Sequence, residues 1–261
     1  MISVKQFEAM VEDTAPLKYQ YEWDNSGWNI LSHEEIGKVL TCLDVTAEVV
    51  DEAVEKGCDT ILSHHPMMFH AIKKLIADDP VTGVVLKAAK SGLNVYCSHT
   101  ACDCAPEGLN LALAEKIGIK APKFFIEEGE GCGLGFIGDI EPTAPENLLS
   151  MIKEQLGARR LKYVPHEGMI TRVAAIGGSA GEFFADAKKQ GAQALLVGDA
   201  KYNDFLDAKS MGVMLIEAGH FETEVGFAFL MRDSLQNKIN EIKYKVTVEA
   251  SERMRPPYDA I

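Results

Sequence analysis

Two adjacent histidines, His64 and His65, stand between a short apolar run and a proline. The run Thr60–Ser63 predicts a buried strand, so both imidazoles fall on a loop at the end of that strand. Adjacent residues of an extended chain point in opposite directions. The pair therefore suits two metal ions, or one ligand and one partner, better than a single ion chelated by both rings. A pair of ordinary loop histidines is the alternative.

A second pattern places a histidine four residues before a carboxylate, and it occurs twice. His99 precedes Asp103, and His220 precedes Glu224. On a helical turn this spacing puts both side chains on one face, where they can bind the same ion. A mixed set of imidazoles and carboxylates suits Zn, Mn, Fe or Ni, and the sequence does not choose among them. As a single motif the pattern is common and usually structural, whereas its recurrence favours a site.

The residues of these motifs differ in the roles they could take. Glu224 is long enough to bridge two ions with its two oxygens. His99 could bind metal directly or could orient Asp103 from outside the coordination shell, and we favour the second role. Cys102 and Cys104 flank Asp103, and a thiolate there would make the site sensitive to oxidation. We favour the alternative, in which both cysteines pack in the core as small apolar residues.

Two loops that follow later predicted strands carry weaker signals. In the first, Gly177–Ser179, backbone N–H groups could hold a phosphate, but the P-loop lysine is missing and we favour a tight turn. In the second, Asp199 could cap the next helix. Together with Lys201 and Tyr202, it could instead bind an anionic substrate group or assist proton transfer.

Short apolar runs alternate with helical patterns along the chain, which is typical of an α/β protein with mostly parallel strand pairing. The segment Val39–Ser63 reads as strand, loop, helix, glycine and strand, and Val173–Val197 repeats that order. Its glycine, Gly57, aligns with Gly191 when the two segments are superposed on their first residues. We therefore predict two similar α/β lobes, a pseudo-repeat, with mixed, mostly parallel sheets flanked by helices.

The duplication sets the expected domain organisation. Residues 1–261 should form a single domain with lobes of approximately 1–126 and 127–261, divided at the Gly- and Glu-rich stretch Glu127–Gly138. His99-x3-Asp103 and His220-x3-Glu224 occupy corresponding places in the two halves. Because open α/β sheets bind ligands beyond the carboxyl ends of their strands, we expect strand ends from both lobes to face one shared cleft.

Composition narrows the classes of partner. The 261 residues include 26 Lys and Arg against 39 Asp and Glu, so the formal net charge is −13, which disfavours nucleic acid. Neither an export signal nor an apolar run of about 20 residues, the length of a membrane span, is visible in the sequence. We expect a cytoplasmic protein without membrane contact, whose six cysteines are reduced thiols.

The motifs taken together resemble the NIF-three-like family, also labelled GTP cyclohydrolase 1 type 2 homologue. The blocks that carry the resemblance span nearly the whole chain: Glu22–Gly27, Leu43–Thr46, Ser63–Pro66, His99–Asp103, Gly177–Ser179, Gly198–Tyr202 and Gly219–Glu224. The resemblance implies a two-lobed α/β fold in its short form, without an inserted domain. It also implies a homohexameric ring and a dinuclear metal centre whose ligands are His64, His65, Asp103, His220 and Glu224.

Two functions are compatible with such a centre. The first is a metal-dependent hydrolase with two divalent ions per chain, in which His99, Asp199, Lys201 and Tyr202 bind a small substrate or transfer protons. The family label implies opening of the guanine ring of GTP. A phosphoester, such as a nucleotide or another phosphate-bearing molecule, or a cyclic amide fits the ligands equally well. The second is a non-catalytic regulatory or scaffold protein acting through protein partners. An open coordination position would distinguish the enzyme.

Overall fold

The computed structural model describes residues 1–259, which divide into two compact units. The first unit comprises Met1–Ala105 and Phe227–Arg255, and the second comprises Pro106–Gly226 together with residues 256–259. These units differ from the expected lobes 1–126 and 127–261. The difference arises because the first residues after Ala105 supply a helix and a strand to the second unit, while a late strand joins the sheet of the first.

The first unit is built on a five-stranded sheet. Within the described residues the unit has seven strands, five of them in this sheet. Numbered through the whole chain, they are β1 Ile2–Ser3, β2 Gly27–Ile30, β3 Glu35–Ile36, β4 Lys38–Cys42, β5 Thr60–Ser63, β6 Asn94–Cys97 and β13 Thr247–Ala250. Its helices are α1 Val4–Thr14, a 3-10 turn Leu17–Tyr19, α2 Ala47–Glu55, α3 Thr82–Lys90, α4 Thr100–Asp103 and α10 Gly226–Glu241. The sheet order is β13-β4-β5-β6-β2, and only β2 is antiparallel to its neighbour. Strands β1 and β3 form a separate antiparallel pair.

Local sequence explains why α2 forms between β4 and β5. The hydroxyl of Thr46 accepts a hydrogen bond from the backbone N–H of Val49, which caps the helix at its start. Val49, Val50 and Ala53 are fully buried on one face of the helix. Gly57 follows with a φ of 66°, a left-handed conformation that glycine adopts without strain, and it directs the chain into β5. The sequence pattern predicted the helix between the two strands and the glycine that ends it.

The second unit contains a six-stranded mixed sheet. Its strands are β7 Lys120–Gly129, β8 Cys132–Thr143, β9 Lys162–Tyr163, β10 Ile170–Ala175, β11 Ala194–Val197 and β12 Met214–Glu217. Its helices are α5 Leu109–Lys116, α6 Pro145–Leu156, a 3-10 turn Gly181–Phe183, α7 Phe184–Lys189, α8 Tyr202–Met211 and α9 His220–Glu224. The order is β7-β8-β10-β11-β12-β9, with parallel pairing only among β10, β11 and β12. The stretch Glu127–Gly138, expected between the lobes, lies in the β7–β8 hairpin.

The α/β class and the repeat are confirmed by the topology of the two sheets. Each contains three consecutive parallel strands, β4-β5-β6 and β10-β11-β12, with an antiparallel strand beyond the third. Val39 pairs with Thr60 in one unit and Val173 pairs with Ala194 in the other, so the predicted alignment holds at the level of strand register. Every residue of β5, β6 and β11 is buried, and their carboxyl ends carry the loops of interest. In residues 1–259, each helix is too short or too polar to cross a bilayer.

Candidate metal centre

His64 and His65 directly follow β5 and continue its pairing with β4. The backbone N–H of His64 donates to the carbonyl of Cys42, and that of His65 donates to the carbonyl of Leu43. His64 is fully buried, whereas His65 is partly exposed. The predicted position at the end of the strand is therefore observed, and the backbone that carries both rings is hydrogen-bonded to the neighbouring strand.

Each of these two rings is held at its Nδ1 atom by an oxygen. Nδ1 of His64 lies 3.0 Å from the carbonyl oxygen of Ser98, and Nδ1 of His65 lies 2.7 Å from Oδ1 of Asp44. Carbonyls and carboxylates only accept hydrogen bonds, so Nδ1 carries the proton in both rings and Nε2 of a neutral ring has the lone pair. A histidine oriented in this way is typical of metal ligands in proteins.

His99 is brought to the same place by β6. It is the residue that precedes α4, and its ring centroid lies 5.3 Å from that of His64 and 5.7 Å from that of His65. One ligand atom from each of the three histidines can be chosen so that all lie within 4.8 Å of one another. The sequence favoured His99 as a group that orients Asp103, whereas the structure places it among the possible metal donors.

Asp103 ends α4, one turn after His99. The side chain is largely buried, and its Oδ1 atom lies 3.6 Å from Nε2 of His64. The first unit thus contains a compact donor set of three imidazoles and one carboxylate, which we call the first donor set: His64, His65, His99 and Asp103. Nitrogen and oxygen donors of this kind suit Zn, Mn, Fe or Ni.

Asp24 is a residue of the candidate site that the sequence did not single out. Its Oδ1 atom lies 2.8 Å from Nδ1 of His99, while Oδ2 accepts from the hydroxyls of Thr100 and Ser26 at 2.6 and 2.9 Å. Burial by itself would raise the pKa of Asp24, but the hydrogen bonds from His99 and Thr100 hold it well below the usual range. Asp24 is therefore an ionised, buried carboxylate that fixes the His99 ring.

The sequence did not single out Asp44 either. Asp24 and Asp44 appeared only as members of the motifs Glu22–Gly27 and Leu43–Thr46, with no role assigned to them. An acidic residue in a turn is usually solvated. The usable signal for Asp44 was its position directly after the first predicted strand of Val39–Ser63, since such strand ends meet at one edge of a sheet. No strand was predicted beside Asp24.

His220 and Glu224 lie on α9 in the second unit, one helical turn apart as predicted. Nε2 of His220 and Oε2 of Glu224 are 2.9 Å apart, and Nδ1 of His220 lies 2.6 Å from Oδ2 of Asp199. Nδ1 of His220 carries the proton that it donates to Asp199. The short approach of Nε2 to a carboxylate oxygen is therefore favourable only if Nε2 is also protonated or if a cation lies between the two atoms. We call His220 and Glu224 the second donor set, and their approach is compatible with a bound divalent ion.

The glycine pair Gly177-Gly178 makes room for Glu224. A Cβ atom at Gly178 would lie 2.4 Å from Oε1 of Glu224, and the φ of Gly178 is 67°. The carbonyl of Gly178 also accepts the backbone N–H groups of Gly198 and Asp199. The loop is thus a tight turn packed against a buried carboxylate, the account favoured from sequence over a phosphate loop.

Asp199, Lys201 and Tyr202 have different surroundings. Asp199 does not cap α8, as one sequence interpretation held, because Lys201 is the N-cap and Asp204 accepts its backbone N–H. Instead, Asp199 fixes the His220 ring. Lys201 is exposed and lines a cavity together with Asp199. Tyr202 is 77% exposed at the start of α8.

The cysteines near the first donor set pack in the core. Cys97, Cys102 and Cys104 are all fully buried. The thiol of Cys97 donates to the carbonyl of His64 at 2.9 Å, and burial raises its pKa well above the usual value. Cys97 is therefore a neutral thiol that supports the His64 backbone.

The fold and the site define an α/β protein that carries candidate histidine and carboxylate metal donors after parallel strands. A sequence model of the family described as Duf34/NIF3 (NGG1p interacting factor 3) matches residues 2–257. The chain belongs to this family, as the sequence motifs predicted.

Individual relatives agree with the family assignment. A protein of Clostridium acetobutylicum is 28% identical over 263 residues, covering 98% of both chains, and one of Clostridium perfringens is 31% identical over 250 residues, covering 93% of this chain and 95% of the relative. Both are named GTP cyclohydrolase 1 type 2 homolog. A Bacillus cereus protein related to NIF3 has a similar structure, with a TM-score of 0.94, 21% identity and coverage of 100% and 99% of the two chains. At that identity the structural likeness supports the fold.

Proposed function

We propose that the protein is a metal-dependent hydrolase with two divalent ions per chain, held by His64, His65, Asp103, His220 and Glu224. The observation that supports this best is the way the rings are held. Four histidines, namely His64, His65, His99 and His220, each have Nδ1 beside an oxygen, and for three of them that oxygen is an aspartate carboxylate. A carboxylate behind an imidazole raises the basicity of the ring and fixes its orientation, which is useful for binding a cation.

The residues around the donors have distinct tasks in this proposal. When bound, two divalent ions supply Lewis acidity and an activated water. Asp24, Asp44 and Asp199 keep the Nδ1 protons in place, so that Nε2 is the nitrogen presented to a ligand. His99, rigidly held by Asp24, is the group proposed to accept or deliver a proton at the substrate.

Lys201 and Tyr202 are proposed to contact an anionic part of the substrate. Lys201 lines a cavity with Asp199, whose carboxylate holds His220, so an ammonium group is available near the second donor set. Tyr202 is adjacent in sequence and 77% exposed. Their contribution would be binding rather than chemistry, because neither contacts a donor in the described part of the chain.

The substrate we propose to test first is GTP, because the curated relatives carry the name GTP cyclohydrolase 1 type 2 homolog. Hydrolysis of a phosphoester of the nucleotide is the competing reaction at the same centre. We further propose that residues 1–261 act as a single functional domain, in a cytoplasmic homohexamer. A net charge of −13 disfavours nucleic acid as the substrate.

The test begins with the metal content of the purified, metal-reconstituted protein and its His65→Ala and Glu224→Ala variants. We expect about two ions per chain in the parent and a clear loss in both variants. His166→Ala is the matched control, because His166 lies outside both donor sets. Native mass of all four proteins separates loss of metal from loss of assembly, and we expect a hexamer.

Product analysis then separates the reactions. Opening of the guanine ring releases formate from GTP, whereas hydrolysis of its 5′ phosphoester releases inorganic triphosphate and guanosine. Activity that follows the metal content across the variants supports the hydrolase. If the parent binds no metal after reconstitution, the dinuclear proposal is wrong. If it binds two ions but hydrolyses neither bond, the non-catalytic regulatory role replaces the enzyme.

A further inference from the structure

Two large aromatic side chains stand half exposed beside the first donor set. Trp23 is 58% exposed and Phe69 is 48% exposed, and their ring centroids lie 5.7 Å apart. Both approach the same imidazole edge-on, since His99 lies 6.0 Å from Trp23 and 6.2 Å from Phe69 between ring centroids. Two adjacent exposed aromatic rings form an apolar patch, a feature that often marks a binding site.

The loops that carry the two rings are held together by hydrogen bonds. The side-chain amide of Asn25 donates to the carbonyl of Met68 at 2.8 Å, which ties the Trp23 loop to the Phe69 loop. On the other side of Trp23, the backbone N–H of Tyr21 donates to the hydroxyl of Thr100 at 3.0 Å. The Tyr21 ring also stacks on Trp23, with centroids 5.6 Å apart and an interplanar angle of 25°. The aromatic surface is thus preorganised.

We propose that Trp23 and Phe69 form an aromatic clamp that binds a planar heteroaromatic ring of the substrate and places it beside His99. This inference rests on the proposed function, because it assigns a substrate-binding role to residues next to the proposed centre. It extends that function by naming the part of the substrate that this side of the site takes, namely a flat ring rather than a sugar or a phosphate.

Two features favour a planar ring over other ligands. Aromatic rings bind flat rings by stacking or by edge-to-face contact, and the exposed parts of Trp23 and Phe69 lie side by side, inclined at 52° to each other. A cationic ligand also binds aromatic rings, but divalent ions at the adjacent donors would repel it. An anionic group would meet no lysine or arginine in the clamp.

The test measures binding of guanosine, a ring without phosphate, by equilibrium dialysis, with ribose 5-phosphate as the probe that has phosphate but no base. We expect saturable binding of guanosine that is about tenfold or more weaker in Trp23→Ala and Phe69→Ala, because base stacking on one aromatic side chain typically contributes that much. Ribose 5-phosphate should bind equally to all variants. Phe229→Ala is the matched control, since Phe229 is 45% exposed on α10.

Fluorescence provides a second measurement on the intact clamp. The chain has two tryptophans, so Trp28→Phe leaves Trp23 as the only indole, and guanosine should quench it to a saturating limit. Should Trp28→Phe fail to fold, the difference between the parent and Trp23→Phe gives the same signal. Linear, non-saturating quenching, or guanosine binding unchanged in Trp23→Ala and Phe69→Ala, would overturn the proposal.

Two further outcomes distinguish a clamp from a subunit contact and from a failure of the hydrolase. A change of native mass in Trp23→Ala or Phe69→Ala would show that the face is a contact between subunits, which also overturns the proposal. Dialysis is repeated on protein shown by elemental analysis to be metal-free. Ring binding that persists there supports the clamp even if the hydrolase proposal fails, whereas hydrolysis of GTP that is insensitive to both substitutions refutes the clamp alone.

Discussion

Oδ1 of Asp24 lies 2.8 Å from Nδ1 of His99, although the two residues are 75 positions apart in the chain. The other oxygen of the same carboxylate accepts from the backbone N–H and the hydroxyl of Thr100. One buried side chain therefore fixes both the imidazole and the first residue of α4, the helix that ends at Asp103. The link joins a turn near the N-terminus to the first donor set.

The Asp24→Asn substitution tests this link. An asparagine side chain would keep the shape but lose the negative charge, and its amide nitrogen would face N–H and O–H donors. We expect metal affinity to fall by about 10–100-fold and the free energy of unfolding to fall by about 1–3 kcal/mol. Calorimetric metal titration and urea unfolding measure the two effects. Asp207→Asn, an exposed change on α8, should alter neither, and a normal metal affinity in Asp24→Asn would contradict the role.

Gly178→Ala tests the space required by Glu224. The new Cβ would approach Oε1 of Glu224 at 2.4 Å, so the carboxylate must move. Gly157 has nearly the same φ, 66° against 67°, but a Cβ there would meet nothing within 4 Å. Gly157→Ala therefore measures the backbone cost alone, about 1–2 kcal/mol. Thermal unfolding should show a larger loss for Gly178→Ala, with metal binding weakened only in that variant. Equal losses in both would exclude a steric role.

Glu52 should make stability depend on pH. Burial by itself would raise the pKa of Glu52, but hydrogen bonds from the backbone N–H of Glu252 and from Lys56, together with the charge of Lys56, lower it below the ordinary value of 4.5. A carboxylate whose pKa is depressed by folding contributes stability above its unfolded pKa, and that stability is lost as the pH falls through the folded value.

The corresponding experiment compares Glu52→Gln with the parent protein by urea unfolding. We expect a loss of about 1–3 kcal/mol at pH 7, and a smaller difference as the pH falls below about 4, where the parent carboxylate is also becoming protonated. Glu34→Gln, at an exposed position, serves as the control. A difference that stays constant from pH 7 to pH 3 would show that charge plays no part.

Thiol reactivity should be confined to one cysteine in the folded protein. Five of the six cysteines are buried, and Cys132, at the β7–β8 turn, is partly exposed. With a thiol-reactive chromogen, about one thiol per chain should react quickly under native conditions and all six after unfolding. Cys132→Ser should remove the fast phase. A fast phase that survives this substitution would contradict the prediction and mean that the fold opens readily around one of the five buried cysteines.

The sequence anticipated the elements of the repeat because their patterns are local. The cap at Thr46, the apolar face of α2 and the left-handed turn at Gly57 depend on residues within a few positions of one another. The same holds for Glu224, which lies one helical turn after His220 on α9. Helical and strand periodicities act over such distances, so a single sequence is sufficient to predict them.

Motif spacing also identified the histidines and carboxylates of the two donor sets. What it left open was the role of each residue. His99 was assigned to orienting Asp103, and Asp199 was considered as a helix cap, whereas the structure places His99 near His64 and His65 and sets Asp199 behind His220. These contacts depend on how the ends of separate strands lie beside one another, which no local pattern encodes.

The boundary between the compact units was likewise beyond the sequence pattern. The Gly- and Glu-rich stretch after Ile126 resembled a linker, yet its residues pair across the β7–β8 hairpin. Strand pairing is long-range, and glycines in a hairpin look the same as glycines in a linker. The sequence by itself therefore determined the α/β class, the repeat and the candidate donors. Only the tertiary structure decided which carboxylate holds which imidazole, because hydrogen bonds between distant residues form only once the sheets have assembled.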